Sequence, residues 1–168
     1  MLKQHLEGEP WRVQNRLEWL QDPKRTVGVF LRTDKLYIVT ESQAESGVWL
    51  HEGPVSVLPA TSSDDELAPV AREHLARSRG NLKVDTRQTD NALPHAAGVK
   101  SWSAFQRSAY AVSICRQKSL TITPYRREKG HCDFVPASTG EIVRPLDETD
   151  AELCQAIRDG LEISKRES

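Results

Sequence analysis

Lys129-Gly130-His131-Cys132-Asp133 is where residue types able to do nucleophilic chemistry stand together in this chain. A cysteine thiolate served by an imidazole base is a competent nucleophile. The spacing argues against it: neighbours on an extended chain point to opposite faces, which places His131 and Cys132 poorly for mutual proton transfer. Cys132 reads instead as a small apolar packing residue and His131 as a loop residue. The five histidines, His5, His51, His74, His95 and His131, show neither HxH nor HExxH spacing, so no metal site is expected. Glycine-rich phosphate-binding patterns are absent, and Gly28 in VGVF sits mid-strand, where it permits close packing. No catalytic residue, metal or cofactor is therefore assigned. The chain reads as a non-enzyme, with a small hydrolase using Cys132 and His131 as the alternative.

Charge offers two further candidates. Acids cluster at Asp64, Asp65 and Glu66, and again at Asp147, Glu148, Asp150 and Glu152. Helix capping accounts for most of them without acid–base chemistry. The basic stretch Tyr125-Arg126-Arg127-Glu128-Lys129 could touch RNA through phosphate contacts and an aromatic stack, which makes an RNA-binding adaptor a third reading. In a chain of formal net charge −1 it reads better as a solvated hairpin tip, with no direct nucleic-acid partner. Of the four tryptophans, Trp102 reads as core, and Trp49, after a polar loop, as a residue at a sheet edge.

These residues must be positioned by a chain of 168 residues, 38% hydrophobic and 28% charged, the composition of an ordinary globular domain. No apolar run approaches the length of a membrane span, and MLKQHLEGEPW lacks the features of a signal peptide. Three cysteines without CxxC spacing suggest neither a disulfide framework nor a zinc knuckle. A cytoplasmic location is expected.

The elements follow from pattern. VGVFLR (27–32) and LYIVT (36–40), around Thr33-Asp34-Lys35, predict a hairpin. VWL (48–50) and VSVL (55–58) predict two short strands separated by a Gly53-Pro54 turn. AYAVSICR (109–116) and LTITP (120–124) predict a second hairpin around Gln117-Lys118-Ser119. DFVP (133–136) and EIV (141–143) flank a Ser138-Thr139-Gly140 turn. Thr149-Asp150-Ala151-Glu152 is a capping box, followed by Leu153, Ile157 and Leu161 on one helical face. Ser63-Asp64-Asp65-Glu66 opens a similar helix, whose Pro69 predicts a regular start delayed to Asp65 or Glu66. Ser101 should cap a short helix burying Trp102 and Phe105. A helix with Trp11, Leu17, Trp19 and Leu20 is expected before Pro23, and the charged tail after Ile163 should fray.

The second half echoes the first. PATSSDDELAPVAREHL (59–75) aligns with PLDETDAELCQAIRDGL (145–161), setting Arg72 on Arg158, and the hairpins match to within a two-residue shift. The fold class is α+β: a mainly antiparallel sheet from two related hairpin-plus-helix units, residues about 24–80 and about 99–165, within one domain spanning 1–168. Residues 81–98 read as a polar linker.

The second half, with GVKSWSAFQRSAYAVSI, LTITPYRREKG, FVP and DAELCQAIRDGLEIS, resembles the immunity proteins of bacterial contact-dependent growth inhibition, the CdiI type. VGVFLRTDKLYIVTES and SGVWLHEGPVSVL in the first half are consistent with that resemblance. At Cys154 the chain departs from the glycine that more often follows the Glu-Leu pair of that pattern. The resemblance implies a cytoplasmic, non-enzymatic inhibitor. It would bind the C-terminal toxin domain of a cognate surface effector, often a nuclease and in some cases one acting on tRNA, and block its active site or exclude its substrate. It brings no catalytic residues with it. A nuclease presents a basic groove, so the expected partner-binding residues are the cap acids Asp64, Asp65, Glu66, Asp147, Glu148 and Asp150, with Trp49 as an aromatic anchor.

Overall fold

The computed structural model describes residues 23–84, 91–130 and 133–168. The expected N-terminal helix with Trp11 and Trp19, His5, and the His131–Cys132 pair lie outside them.

Strands β1 (Arg25–Arg32), β2 (Lys35–Gln43), β3 (Trp49–Pro59), β4 (Ala109–Arg116), β5 (Leu120–Arg127), β6 (Phe134–Pro136) and β7 (Ile142–Arg144) form one antiparallel seven-stranded sheet among the described residues. Its order is β3-β2-β1-β4-β5-β6, with β7 also on β5. The expectation of a mainly antiparallel α+β fold holds. The two central strands come from the two halves: β1 and β4 pair from Arg25↔Arg116 to Arg32↔Ala109.

Helices α1 (Asp64–Arg77) and α4 (Asp150–Glu167) cover one face of the sheet. Alternation puts Val27 and Val29 of β1, Ile38 of β2, Ile114 of β4 and Ile122 of β5 on that face, where they pack against Leu67, Leu75, Leu153 and Ile157. Both helices open with the capping boxes read from sequence. Gly160 lets α4 lie close, since a Cβ there would stand 2.8 Å from Val112 Cγ1. The two helices are tied by crossed arginines. Arg72, eight residues into α1, donates from Nε to Asp150 Oδ1 at 3.0 Å and from a guanidinium nitrogen to Glu148 Oε1 at 2.7 Å. Arg158, at the same depth in α4, donates to Asp64 Oδ1 at 2.6 Å and to the Ser62 carbonyl at 3.1 Å.

Several expectations differ in detail. Pro69 lies inside α1, and the helix still begins at Asp64: the proline is exposed, and the burial of Leu67, Ala68 and Ala71 around it outweighs one lost backbone bond. The strands expected at 48–50 and 55–58 are one edge strand that runs through Gly53-Pro54. A register shift opposite Ile38/Thr40 accommodates the residue that cannot donate. Strand β5 extends through Arg127, so Tyr125, Arg126 and Arg127 pair with β6 instead of forming a hairpin tip. Strands β6 and β7 do not pair with each other; both lie along β5. Helix α4 continues past Ile163 because its last turn is anchored. The Ser164 hydroxyl accepts from the Ala111 amide at 2.9 Å, and the Glu167 carboxylate accepts from the Ser138 and Thr139 amides at 2.7 and 3.0 Å. Inside the stretch read as a linker, α2 (Ala92–Ala96) buries Leu93 and Pro94. With α3 (Trp102–Gln106), capped by Ser101 as expected, it covers part of the second face over Phe30, Tyr37 and Val39.

Candidate protein-binding cleft

The second face of the sheet is only partly covered, and its side chains fall into rows set by the register. One row runs Tyr37, Phe30, Ala111, Tyr125, and the aromatic cluster under α3 grows from it. The next row runs Val39, Gly28, Ser113, Thr123, and the third runs His51, Glu41, Thr26, Cys115, Thr121. The face therefore passes from apolar under the short helices to polar where they end.

Gly28 shapes that transition. A Cβ at this position would lie 2.8 Å from both Glu41 Oε1 and Phe30 Cε2, so the missing side chain lets the Glu41 carboxylate lie diagonally across the floor. There Glu41 Oε2 accepts from the Ser113 hydroxyl at 2.8 Å, and Oε1 stands 3.5 Å from His51 Nε2. The His51 ring meets the edge of Phe30 at 5.7 Å and leans on Trp102 at 5.5 Å. Trp102 stacks on Phe105 at 5.6 Å, and Phe134 of β6 contacts both Phe30 and Trp102.

These groups enclose a cavity of about 240 Å³ with Glu41, His51, Trp102, Tyr125 and Phe134 among its walls. Two acids, Glu41 and Asp133, are among its lining residues. Burial first, then Glu41 and Glu141, holds the Tyr125 hydroxyl protonated above its ordinary range. Burial does the same to the Cys115 thiol, with Glu41 adding to the shift and Lys24 opposing it. Gln106 of α3 reaches the same cavity. It is 3% exposed, and neither amide atom has a hydrogen-bond partner. An aromatic-walled, acid-floored cavity holding an unsatisfied amide is suited to gripping a group from outside. Among the described residues no cluster of His, Cys, Asp or Glu is arranged to hold a metal ion.

The residues expected at a partner surface lie on the other side of the sheet or at its edge. Asp64 and Asp150 are engaged by Arg158 and Arg72. Glu66 closes its capping box by accepting from the Ser63 amide at 2.9 Å. Glu148 is buried, its side chain 2% exposed against Arg72. Asp65 and Asp147 are exposed, with no ion pair among the described residues. Trp49 stands at the start of edge strand β3, half exposed. The structure thus brings the acids of the two helix starts together through arginines and leaves Trp49 apart from them. Arg127 is occupied as well, donating to the Arg107 carbonyl and lying 5.1 Å over the Tyr110 ring. Sequence reasoning missed Glu41, His51, Ser113 and Gln106. The available signal was Glu41 continuing the Tyr37, Val39 alternation, opposite a mid-strand glycine.

No protein-family model and no curated protein matches this chain in sequence. Solved structures do match it in fold. A Neisseria meningitidis protein of unknown function superposes with a TM-score of 0.66 at 18% identity, covering 83% of this chain and 94% of that one. A chain of the CdiA-CT/CdiI toxin and immunity complex from Yersinia pseudotuberculosis superposes with a TM-score of 0.64 at 20% identity, covering 86% of this chain and 97% of that one. The protein has a CdiI-like fold.

Proposed function

We propose that the protein is an immunity protein: it binds and neutralises the C-terminal toxin domain of a contact-dependent growth inhibition effector, acts in the cytoplasm and catalyses nothing itself. The observation that carries this reading is the CdiI-like fold, matched over nearly the whole of a chain taken from a toxin–immunity complex. The cleft supports it, since aromatic walls around desolvated polar groups are what energetic centres of protein interfaces are made of. The toxin is proposed to be a nuclease, whose basic substrate groove an acidic surface would complement. Inhibition then follows from occupying that groove or shielding it from substrate.

The test is co-expression with the toxic domain encoded beside this chain. Protected cells, a co-purifying complex and loss of RNA or DNA cleavage are expected. Unprotected cells with no complex would refute the reading.

We propose further that residues 24–80 and 99–165 are related halves of one domain. The central β1–β4 ladder and the crossed arginines support this. Each half expressed alone should then lack a sharp thermal transition, because neither can bury both faces of its own strands.

A further inference from the structure

We propose that the cavity beside Glu41 receives an arginine side chain of the protein partner. This deepens the proposed toxin-binding function and rests on it for the identity of that partner.

Two acids, Glu41 and Asp133, line the cavity beside the polar groups of His51, Trp102 and Tyr125. The Glu41 carboxylate lies on the floor, held by Ser113 at 2.8 Å, and Asp133 lies at the rim. The Gln106 carboxamide adds a carbonyl oxygen with no donor, in a side chain 3% exposed. A buried amide of this kind costs free energy until something satisfies it. Its carbonyl oxygen takes an N–H donor, which a guanidinium supplies, while its NH2 needs an acceptor from elsewhere on the partner, such as a backbone carbonyl. The walls are flat π surfaces: Trp102, Phe134, Tyr125 and Phe30. A guanidinium is planar, carries five donors and no acceptor, and stacks on aromatic faces while donating in its plane to carboxylate and carbonyl oxygens. An ammonium has the charge without the plane. A carboxylate or phosphate would meet Glu41 and Asp133 with like charge.

The neighbouring cavity, about 270 Å³, shares Gln106 and Asp133 but is lined by Arg107, Arg127 and Lys129. A cation is therefore directed to the Glu41 side of Gln106. Glu41 alone would be only an acid in a sheet; the unsatisfied Gln106 amide in the same cavity marks the place as built for a guest.

Two arms test this. In the first, the full chain is titrated with N-acetyl-arginine methylamide and with its citrulline counterpart, which has the same shape and no charge, while the Trp102 indole N–H and the Ser113 amide are followed by NMR. Shifts with arginine only, lost in Glu41→Gln, are expected; equal responses to the two probes, or none, overturn the proposal. In the second arm, affinity for the toxin domain is measured for Glu41→Gln and Gln106→Met. Each should bind roughly thirtyfold or more weakly, the loss expected when one side of a desolvated polar contact is removed. Gln106→Met should melt no lower than wild type, because it removes an amide that nothing in the free protein satisfies. Wild-type affinity in both variants overturns the proposal. A toxin that fails to bind the wild-type chain refutes the proposed function instead, and the arginine–citrulline comparison still decides the chemistry of the cavity.

Discussion

Arg72 and Arg158 occupy the same depth in their helices and hold the same kind of partner, yet their removal should have unequal consequences. Arg72 is 38% exposed but its partner Glu148 is 2% exposed, and Glu148 Oε2 is buried without a second partner. Replacing Arg72 with Met strands that carboxylate. Breaking a buried pair in this way costs about 3–5 kcal/mol, and water reaching through the exposed arginine site lowers the loss to about 2–3 kcal/mol. Arg158 and Asp64 are 39% and 38% exposed, and Arg158→Met should cost at most about 1 kcal/mol. At this chain length a kcal/mol moves the thermal midpoint by about 2–4 °C, so the two variants should differ by several degrees. Thermal melts and urea denaturation of the two variants measure this. Equal losses in the two variants would refute the reasoning.

Other perturbations test other parts of the fold. His74 is buried between the Thr40 and Ser56 hydroxyls at 2.9 Å each, and burial, with Arg77 adding to it, holds the ring below its usual range. Its unfolded form binds the extra proton, so wild-type stability should fall relative to His74→Gln as pH drops below about 6.5, seen as diverging urea midpoints. Hydrogen bonds from Thr139 and Ser138 hold the Glu167 carboxyl at about 2. The advantage of wild type over Glu167→Ala in protecting the Ser138 and Thr139 amides from exchange should persist at pH 6 and vanish as pH falls from about 4.3 towards 2. Burial, with Asp64 adding to it, pushes the Cys154 thiol up to about 11, so iodoacetamide at pH 8 should label it only after unfolding, as peptide mass spectrometry would show. Gly28→Ala should displace the Glu41 carboxylate from Ser113 and cost about 1–3 kcal/mol by crowding, read from thermal melts and from the Ser113 amide shift.

Local patterns carried the secondary structure well wherever one physical cause dominated. The Thr149 capping box and the Leu153, Ile157, Leu161 stripe mark α4, and β-branched runs mark the paired hairpins. The misreadings arose where distant packing overrode a local rule. Pro69 argues for a later start to α1, but the apolar residues flanking it hold the helix. Gly53-Pro54 argues for a turn, but an edge strand can continue past a residue that lacks an N–H. Leu93 sits in a polar stretch and gives no sign that it is buried over β2. The site was less legible. Glu41 finds His51 ten residues away and Ser113 72 residues away, and nothing in either segment announces the other. The acids of the helix starts were visible as charges, but the arginines that engage them come from the opposite helix.

The crossed arginines also bear on what happens when a partner arrives. Each helix start is held by the middle of the other helix, so neither can lift from the sheet without releasing the other's anchor. The open face thus rests on two helices pinned to each other at both starts. Bracing of this kind would lower the ordering cost that binding on the open face has to meet.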